Sequence, residues 1–495
     1  MKSKCSHIIK NGQCSNLWSS SQYNGNNAWN FNATNGTLNN NNKMNRYGVR
    51  GSLDLDFDEA VLQQFLSLYA DYLDDYRATR KHKRSKNSQL DFEYNLQDYL
   101  LQMVYDIFMR QYIPSPSNLF IITDPTLREV IAAWFGDRIP QTRVVRNIMP
   151  LLEQKFFHKD SYSCRVGKGG LKAVQNLVWY IRQETNHYTR PAWLYKFDIR
   201  SFFMSIDMNI FFPVFVDLVN RHITNEALRD ELLYISRIIY LGYPQEHCVL
   251  NSPPELLRRV EEGKSQRHKT NNFGLPIGNI TSQMLCLIVT TFILMMLEEY
   301  GLKFVHYTDD NCGIIRDVES FMKFMRWLKN EVWQRWHLRI HPDKFYLQYY
   351  KKTINLLGFK IKYGSQILPG DRLVHNFKWK VERAIRKAET YPNYIYLTKD
   401  SFAGVLCSYL GLLKHTASYN LRKEQMTLIT ASRWGKVLDI DTENYYKVAV
   451  KPYYTSMAYA IRQNKKRKKQ LKSYYNELIR NSGENQFQQR RCQRA

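Results

Sequence analysis

Asp198, Asp309 and Asp310 stand out by their surroundings. Asp198 closes the short run Leu194–Phe197, and Asp309-Asp310 follow Tyr307-Thr308 between Phe304–Tyr307 and Gly313–Ile315. Carboxylates at a strand end and at a neighbouring hairpin turn can converge on one point. There they offer hard oxygen ligands to divalent cations, whose shells are completed by water and phosphate oxygens. Two such cations about 3.5–4 Å apart clamp the attacking and departing oxygens of a phosphoryl transfer. A Tyr-x-Asp-Asp tetrapeptide alone does not decide for this chemistry, because Asp is common in turns.

Hydrophobic periodicity indicates the elements that must position these residues. Leu194–Ile199 reads as a strand running into Ser201-Phe202-Phe203, and the segment around Thr308-Asp309-Asp310 reads as strand, turn, strand. Upstream, Ala60, Leu62, Phe65, Leu66, Leu68 and Tyr69 recur at helical spacing, followed by a basic stretch (Arg77 to Lys86) and a helical segment over 96–111. Phe120-Ile121-Ile122 reads as a strand closed by Asp124-Pro125, and Leu127–Phe135 resumes helical periodicity. Residues 210–241 are helical, whereas 251–272 are polar, carry Pro253-Pro254 and read as a loop or insertion. An apolar helix over 281–299, an amphipathic helix over 321–332 and a strand over 355–362 follow. From about 370 to 435 the chain is helical and basic, and beyond 452 it is more basic still. No repeat of 20 to 50 residues is visible.

The 495 residues suffice for two or three domains, and the net charge of +26 favours a polyanionic partner. A solvated basic surface on a ribosome-associated or membrane-surface protein is the bland reading of the same charge. The eight cysteines show no C-x-x-C spacing, which argues against a zinc site and for reduced, intracellular thiols. The first residues, Met1 to Ser6, lack the apolar run of a secretory signal. The longest apolar stretch, Met284–Leu297, suits a buried helix better than a membrane span. A soluble, cytoplasmic protein without membrane association is therefore expected. Residues 1–52 are rich in Asn, Ser and Gly, and are expected to be disordered because they offer little apolar surface to bury.

Five blocks, in order, resemble the reverse transcriptases. Phe197-Asp198-Ile199-Arg200-Ser201-Phe202-Phe203 resembles their first catalytic block, Tyr307–Asp310 the second, and Gly274–Gln283 the block between. Ser163–Gly169 is similar to the fingers segment that holds the incoming triphosphate. His341-Pro342-Asp343-Lys344 with Asn355–Phe359 is similar to the end of the palm and the primer grip. The resemblance covers roughly 55–435 and implies an α+β right-hand polymerase, with fingers, a palm built on a small antiparallel sheet, and an α-helical thumb. The implied domains are an Asn-rich segment (1–52), fingers and palm (53–370), thumb (371–435) and a basic C-terminal tail (436–495).

The resemblance also implies roles. Asp198, Asp309 and Asp310, with the Ile199 carbonyl, would hold two Mg²⁺ ions, for which Mn²⁺ could substitute, and Asp310 would be the ligand that chiefly orients the site. Lys344 would protonate the leaving pyrophosphate. Arg165 and Lys168 would meet triphosphate oxygens. Phe203 would exclude a ribose 2′-hydroxyl, and Gly274, Pro276, Ile277, Gly278 and Gln283 would line the dNTP site. Arg77, Lys81, Lys414, Lys465, Lys466 and Arg467 would contact nucleic acid, with Ser408–His415 resembling a thumb helix. Template RNA, cDNA and dNTPs are the implied partners.

Within that family, Ile277 in Leu-Pro-Ile-Gly-Asn-Ile-Thr-Ser-Gln, where many members carry Gln, is similar to the enzymes of diversity-generating retroelements. Those copy a template-repeat RNA with misincorporation opposite adenine, in mutagenic retrohoming, and usually act with a small basic helical accessory protein. The Asn-rich stretch from Asn27 to Arg50 resembles the variable end of their lectin-like targets, whose Asn codons begin with adenines. The alternatives are a retron or phage-defence reverse transcriptase and a non-catalytic RNA-binding relative of the polymerases.

Overall fold

The computed structural model describes residues 57–81, 87–123, 126–269 and 272–455, and the backbone of five short strands between Cys5 and Val49. Those strands pair antiparallel in the order Thr37–Asn42, Asn27–Asn32, Gln13–Gln22, Cys5–Lys10, Gly48–Val49. The disorder expected of 1–52 falls on this segment, whose turns and side chains lie outside the described residues. Two compact units divide between Tyr349 and Tyr350.

The first unit carries a four-stranded sheet in the order Lys303–Tyr307, Asp310–Ile315, Trp193–Asp198, Tyr346–Tyr349, with every neighbouring pair antiparallel. In Trp193–Asp198, alternate side chains take opposite faces. Tyr195 and Phe197 share one face, fully buried and stacked 6.2 Å apart. Gly313 lies opposite Tyr195, and a Cβ there would stand 2.4 Å from the Lys303 carbonyl and 2.5 Å from the Tyr195 hydroxyl. Only glycine lets these strands approach so closely.

Helices cover this sheet. Ile280–Glu299 has a mean hydropathy of 2.1 and could cross a membrane by length and composition, but 78% of its apolar window is buried inside the protein. A helix apolar all round is a core helix when other helices surround it, and this one packs against Arg138–Lys155. Val318–Trp336, capped by Asp317 accepting from the Ser320 N–H at 3.1 Å, buries Phe321, Phe324, Met325, Leu328 and Val332 at helical spacing. Buried charge is paired: Arg143 meets Glu231 through two bonds of 3.0 Å, and the Tyr72 hydroxyl donates to the same carboxylate.

Two expectations are corrected here. Arg128–Ala132 is a strand, not a helix, and it pairs antiparallel with Ser117–Ile122. Val130 to Ala133 are buried consecutively, a run whose periodicity cannot separate strand from helix until a partner strand is known. The helical stretch 210–241 is two helices, Met208–His222 and Glu226–Leu241. Asn225 breaks it by accepting from the Leu228 N–H at 3.0 Å, an N-cap bond.

In the second unit, Ile354–Leu356, Phe359–Lys362 and Gln366–Pro369 form a three-stranded antiparallel sheet. The single strand expected over 355–362 is thus a hairpin, turning at Leu357 and Gly358, both with positive φ (50° and 81°). Leucine gives no turn signal, which hid the break. Helices Asp371–Thr390, Tyr394–Leu413 and Tyr419–Ala431 surround the fully buried Trp434, whose indole donates to the Ala384 carbonyl at 3.0 Å. Strands Leu438–Ile440 and Val448–Val450 pair and bury Leu438 and Val448 in the same core. Packed structure therefore continues past 435, into what the sequence suggests is tail.

Candidate active site

The register of the four-stranded sheet sets Asp310 directly opposite Asp198. Tyr307 pairs with Asp310 across the hairpin, leaving Thr308 and Asp309 as a two-residue turn with Thr308 at φ 60°. The Asp309 carbonyl accepts from the Ile199 N–H at 3.3 Å, which ties the turn to the end of the neighbouring strand. All three carboxylates thus gather at one end of the sheet. Burial, then the charges of Asp198 and Asp310, push the Asp309 carboxyl up to about 6.

Beyond Asp198 the chain pairs Ile199 with Ile340 through two bonds, His341 N–H to the Asp198 carbonyl at 2.7 Å and Arg200 N–H to the Arg339 carbonyl at 2.8 Å. Neither bond uses the Ile199 carbonyl. The same bridge fixes the short turn Pro342–Lys344 beside the site, and the Lys344 ammonium donates to the Asp198 carboxylate. That hydrogen bond raises the Lys344 pKa. Among the described residues no cluster of three or more His, Cys, Asp or Glu is close enough to hold a metal ion as it stands. The donor chemistry nonetheless fits Mg²⁺. The carboxylates repel one another, and lysine ammonium groups rest on Asp198 and Asp310 where cations would neutralise them.

The segment Gly274–Gly278 is held from both sides. Gly274 and Leu275 donate their N–H groups to the carbonyls of Ile206 and Phe203, each at 2.8 Å, so the backbone of Phe203 is joined to this segment. The Phe203 ring is half-buried and packs on the core. On the other side, the Ile131 N–H donates to the Ile277 carbonyl at 3.0 Å, and the Ala133 N–H to the Asn279 side chain at 3.0 Å. Gly278 has φ 118°, and a Cβ there would meet Val130 at 2.9 Å. Pro276 is buried, Ile277 half-buried, and Gln283 exposed on the first turn of Ile280–Glu299.

Residues 135–361 match the family described as reverse transcriptase (RNA-dependent DNA polymerase). That stretch is similar to a reverse transcriptase domain. It contains Asp198, Asp309, Asp310, Lys344 and the Gly274–Gln283 segment. No curated protein sequence matches the chain. Among solved structures, the chain is similar to apo telomerase from Candida tropicalis truncated from its C-terminal domain (8% identity, 51% of this chain and 54% of that one, TM-score 0.38). It is also similar to telomerase from Candida albicans in complex with a TWJ fragment of telomeric RNA (9% identity, 65% and 63%, TM-score 0.40). The chain spans 54% and 63% of the length of these telomerases.

Within the matched stretch, the Arg165 side chain turns inward. Its side chain is only 4% exposed, with Nε 2.7 Å from Glu153, and its other nitrogens donate to Glu153 and to the carbonyls of His158 and Ser161. Most of the guanidinium N–H groups are thus engaged by Glu153 of the preceding helix and by carbonyls of its own loop, which turns the group inward rather than toward a triphosphate. Lys168 remains partly exposed, over the Tyr162 ring at 4.9 Å, and donates to the Lys159 carbonyl. Arg77 pairs with Asp74 on the surface at 2.7 Å, and Lys81 and Lys414 are exposed. Lys465, Lys466 and Arg467 lie outside the described residues.

Lys196 went unnoticed in the sequence although it sits two residues before Asp198, on the same strand face. Its ammonium stands 3.2 Å from Asp310. The available signal was a lysine inside an otherwise apolar central strand, a position where charge needs a partner.

Proposed function

We propose that this chain is an RNA-directed DNA polymerase that copies a template-repeat RNA into adenine-mutagenised cDNA for diversification of a target gene. The polymerase reading is carried by one observation, the register pair Asp198–Asp310 with Asp309 in the adjoining turn. Bound divalent cations supply the Lewis acidity that activates the primer 3′-oxygen and neutralises the departing pyrophosphate. Asp198 and Asp309 would hold them, and the Lys344 ammonium, already on Asp198, would carry the proton for the leaving group. Phe203, fixed through Leu275, excludes the ribose 2′-hydroxyl. Residues 371–435 act as the thumb, 53–370 as fingers and palm, and the basic stretch within 436–495 holds RNA backbone. Template RNA, cDNA, dNTPs and a small basic helical accessory protein are the partners, in the cytoplasm.

The mutagenic role rests on Ile277 and on the Asn-rich residues 27–50. An isoleucine side chain offers no hydrogen bond to the nascent pair, so mispairs opposite adenine meet less resistance. Primer extension on an adenine-containing RNA template with Mg²⁺ and dNTPs tests both levels. Wild type is expected to yield cDNA with errors concentrated opposite adenine, Asp309→Ala/Asp310→Ala none, and Ile277→Gln fewer such errors. Accurate cDNA from wild type would reject the mutagenic role and favour a retron or defence enzyme. Absence of product, with native RNA and accessory protein supplied, would overturn the polymerase.

A further inference from the structure

The three carboxylates are not equivalent in their cations. On the strand Trp193–Asp198, Lys196 and Asp198 share a face, and register sets Asp310 opposite Asp198 and Cys312 opposite Lys196. The diagonal between them lies within reach of a long side chain. Lys196 Nζ accordingly stands 3.2 Å from Asp310 Oδ1, the two side chains 23% and 30% exposed. Lys196 lies on a central strand, paired with Cys312 on one side and Tyr346 on the other, so its backbone is fixed from both edges. Lys344 rests on Asp198 from a short turn and is 52% exposed. Among the described residues Asp309 has no ion pair.

We propose that Lys196 is a positioning residue that sets the metal affinity of this centre by holding Asp310 away from the cations, leaving Asp198 and Asp309 as their chief ligands. The inference deepens the polymerase reading and rests on it. A cation that recruited Asp310 would have to displace the Lys196 ammonium from Oδ1. Affinity is lost in proportion to the strength of that partly shielded pair. Removing the ammonium while keeping the stem frees an anionic oxygen donor, so metal binding tightens. A lysine that merely packs gives the opposite sign, because disturbing the strand disorders the ligands and weakens binding.

The test is Mn²⁺ binding to the full-length, nucleic-acid-free protein, read from the EPR signal of free Mn²⁺. Lys196→Met is expected to tighten binding roughly two- to fivefold, the scale of one partly exposed ion pair. Asp310→Asn alone should change it little, because Asp310 is already occupied. The double variant should return to the Asp310→Asn value, and Lys196→Arg should behave as wild type. Unchanged or weaker binding by Lys196→Met, with a wild-type circular dichroism spectrum, would overturn the proposal. If Lys196→Met does not fold, Lys196→Gln carries the same expectation and the same refutation. Mg²⁺ half-saturation of primer extension should fall in parallel. A wild type that makes no cDNA would sink the polymerase reading, whereas an active wild type with unaltered Mn²⁺ binding in the variants would sink only the role of Lys196.

Discussion

Asp198 and Asp310 face each other in register across two neighbouring antiparallel strands, and the carbonyl of Asp198 also receives the His341 N–H at 2.7 Å. One residue therefore joins the catalytic hairpin to the turn that carries Lys344. On the proposed function the side chain of Asp198 serves the chemistry, while the backbone of the same residue holds the turn of Lys344 in place.

Asp309 is raised to about 6 by burial and by its two acidic neighbours. Without divalent cations, Asp309→Asn removes that repulsion and should raise Tm at pH 7 by a few degrees, on the order of 1 kcal/mol. Primer extension should be lost in the same variant. Thermal unfolding in EDTA checks the first point, and a lower Tm would mean that hydrogen bonds to the carboxylate outweigh the repulsion.

Arg165 is expected to matter for folding rather than for dNTP binding. Arg165→Gln leaves Glu153 and two backbone carbonyls without their donor and should cost about 2–3 kcal/mol. Lys168→Ala should cost far less stability and instead raise KM for dNTPs. Denaturant unfolding beside steady-state kinetics separates the two. A stable Arg165→Gln with a raised KM would return Arg165 to the triphosphate.

Gly313→Ala places a methyl 2.4 Å from the Lys303 carbonyl and 2.5 Å from the Tyr195 hydroxyl. The strands must part at the centre of the catalytic sheet, at a cost of about 2–4 kcal/mol. Urea unfolding should show the loss, and activity should fall with it. A variant as stable as wild type would mean that the sheet is looser than this register implies.

Asp137 gives a pH dependence remote from the carboxylate cluster. Burial raises it from 3.8 to about 6, against hydrogen bonds from the Tyr112 hydroxyl at 2.6 Å and the Ser115 N–H at 3.0 Å. The folded state therefore holds this proton more tightly than the unfolded chain. The associated stability is complete below the unfolded value and is lost as pH rises through about 6. The Tm of wild type relative to Asp137→Asn should thus improve as pH falls from about 7 to 5. A difference that stays flat or moves the other way would show that the carboxyl titrates normally.

Local pattern made several elements legible. The short run before Asp198, the strand–turn–strand around Asp309, the amphipathic run over 321–332 and the apolar helix over 281–299 needed only short-range pattern. Residues 127–135 read as helix because the four consecutive apolar residues Val130 to Ala133 suit either structure, and the partner Ser117–Ile122 decides for a strand over 128–132. The hairpin at Leu357-Gly358 was missed because a leucine with positive φ is tolerated only where the surrounding sheet imposes it.

By itself the sequence determined which residues carry charge, where the strand before Asp198 ends and where the turn at Asp309 begins, and hence that Asp198, Asp309 and Asp310 sit where carboxylates can converge. It could not determine pairing between strands far apart in the chain, since a slip of one residue would turn every side chain to the opposite face. Only the tertiary structure set Asp310 against Asp198, brought Lys196 onto Asp310, and enclosed Arg165 among Glu153, His158 and Ser161. Those outcomes depend on burial and register, which arise from contacts between segments and are encoded in no single one of them.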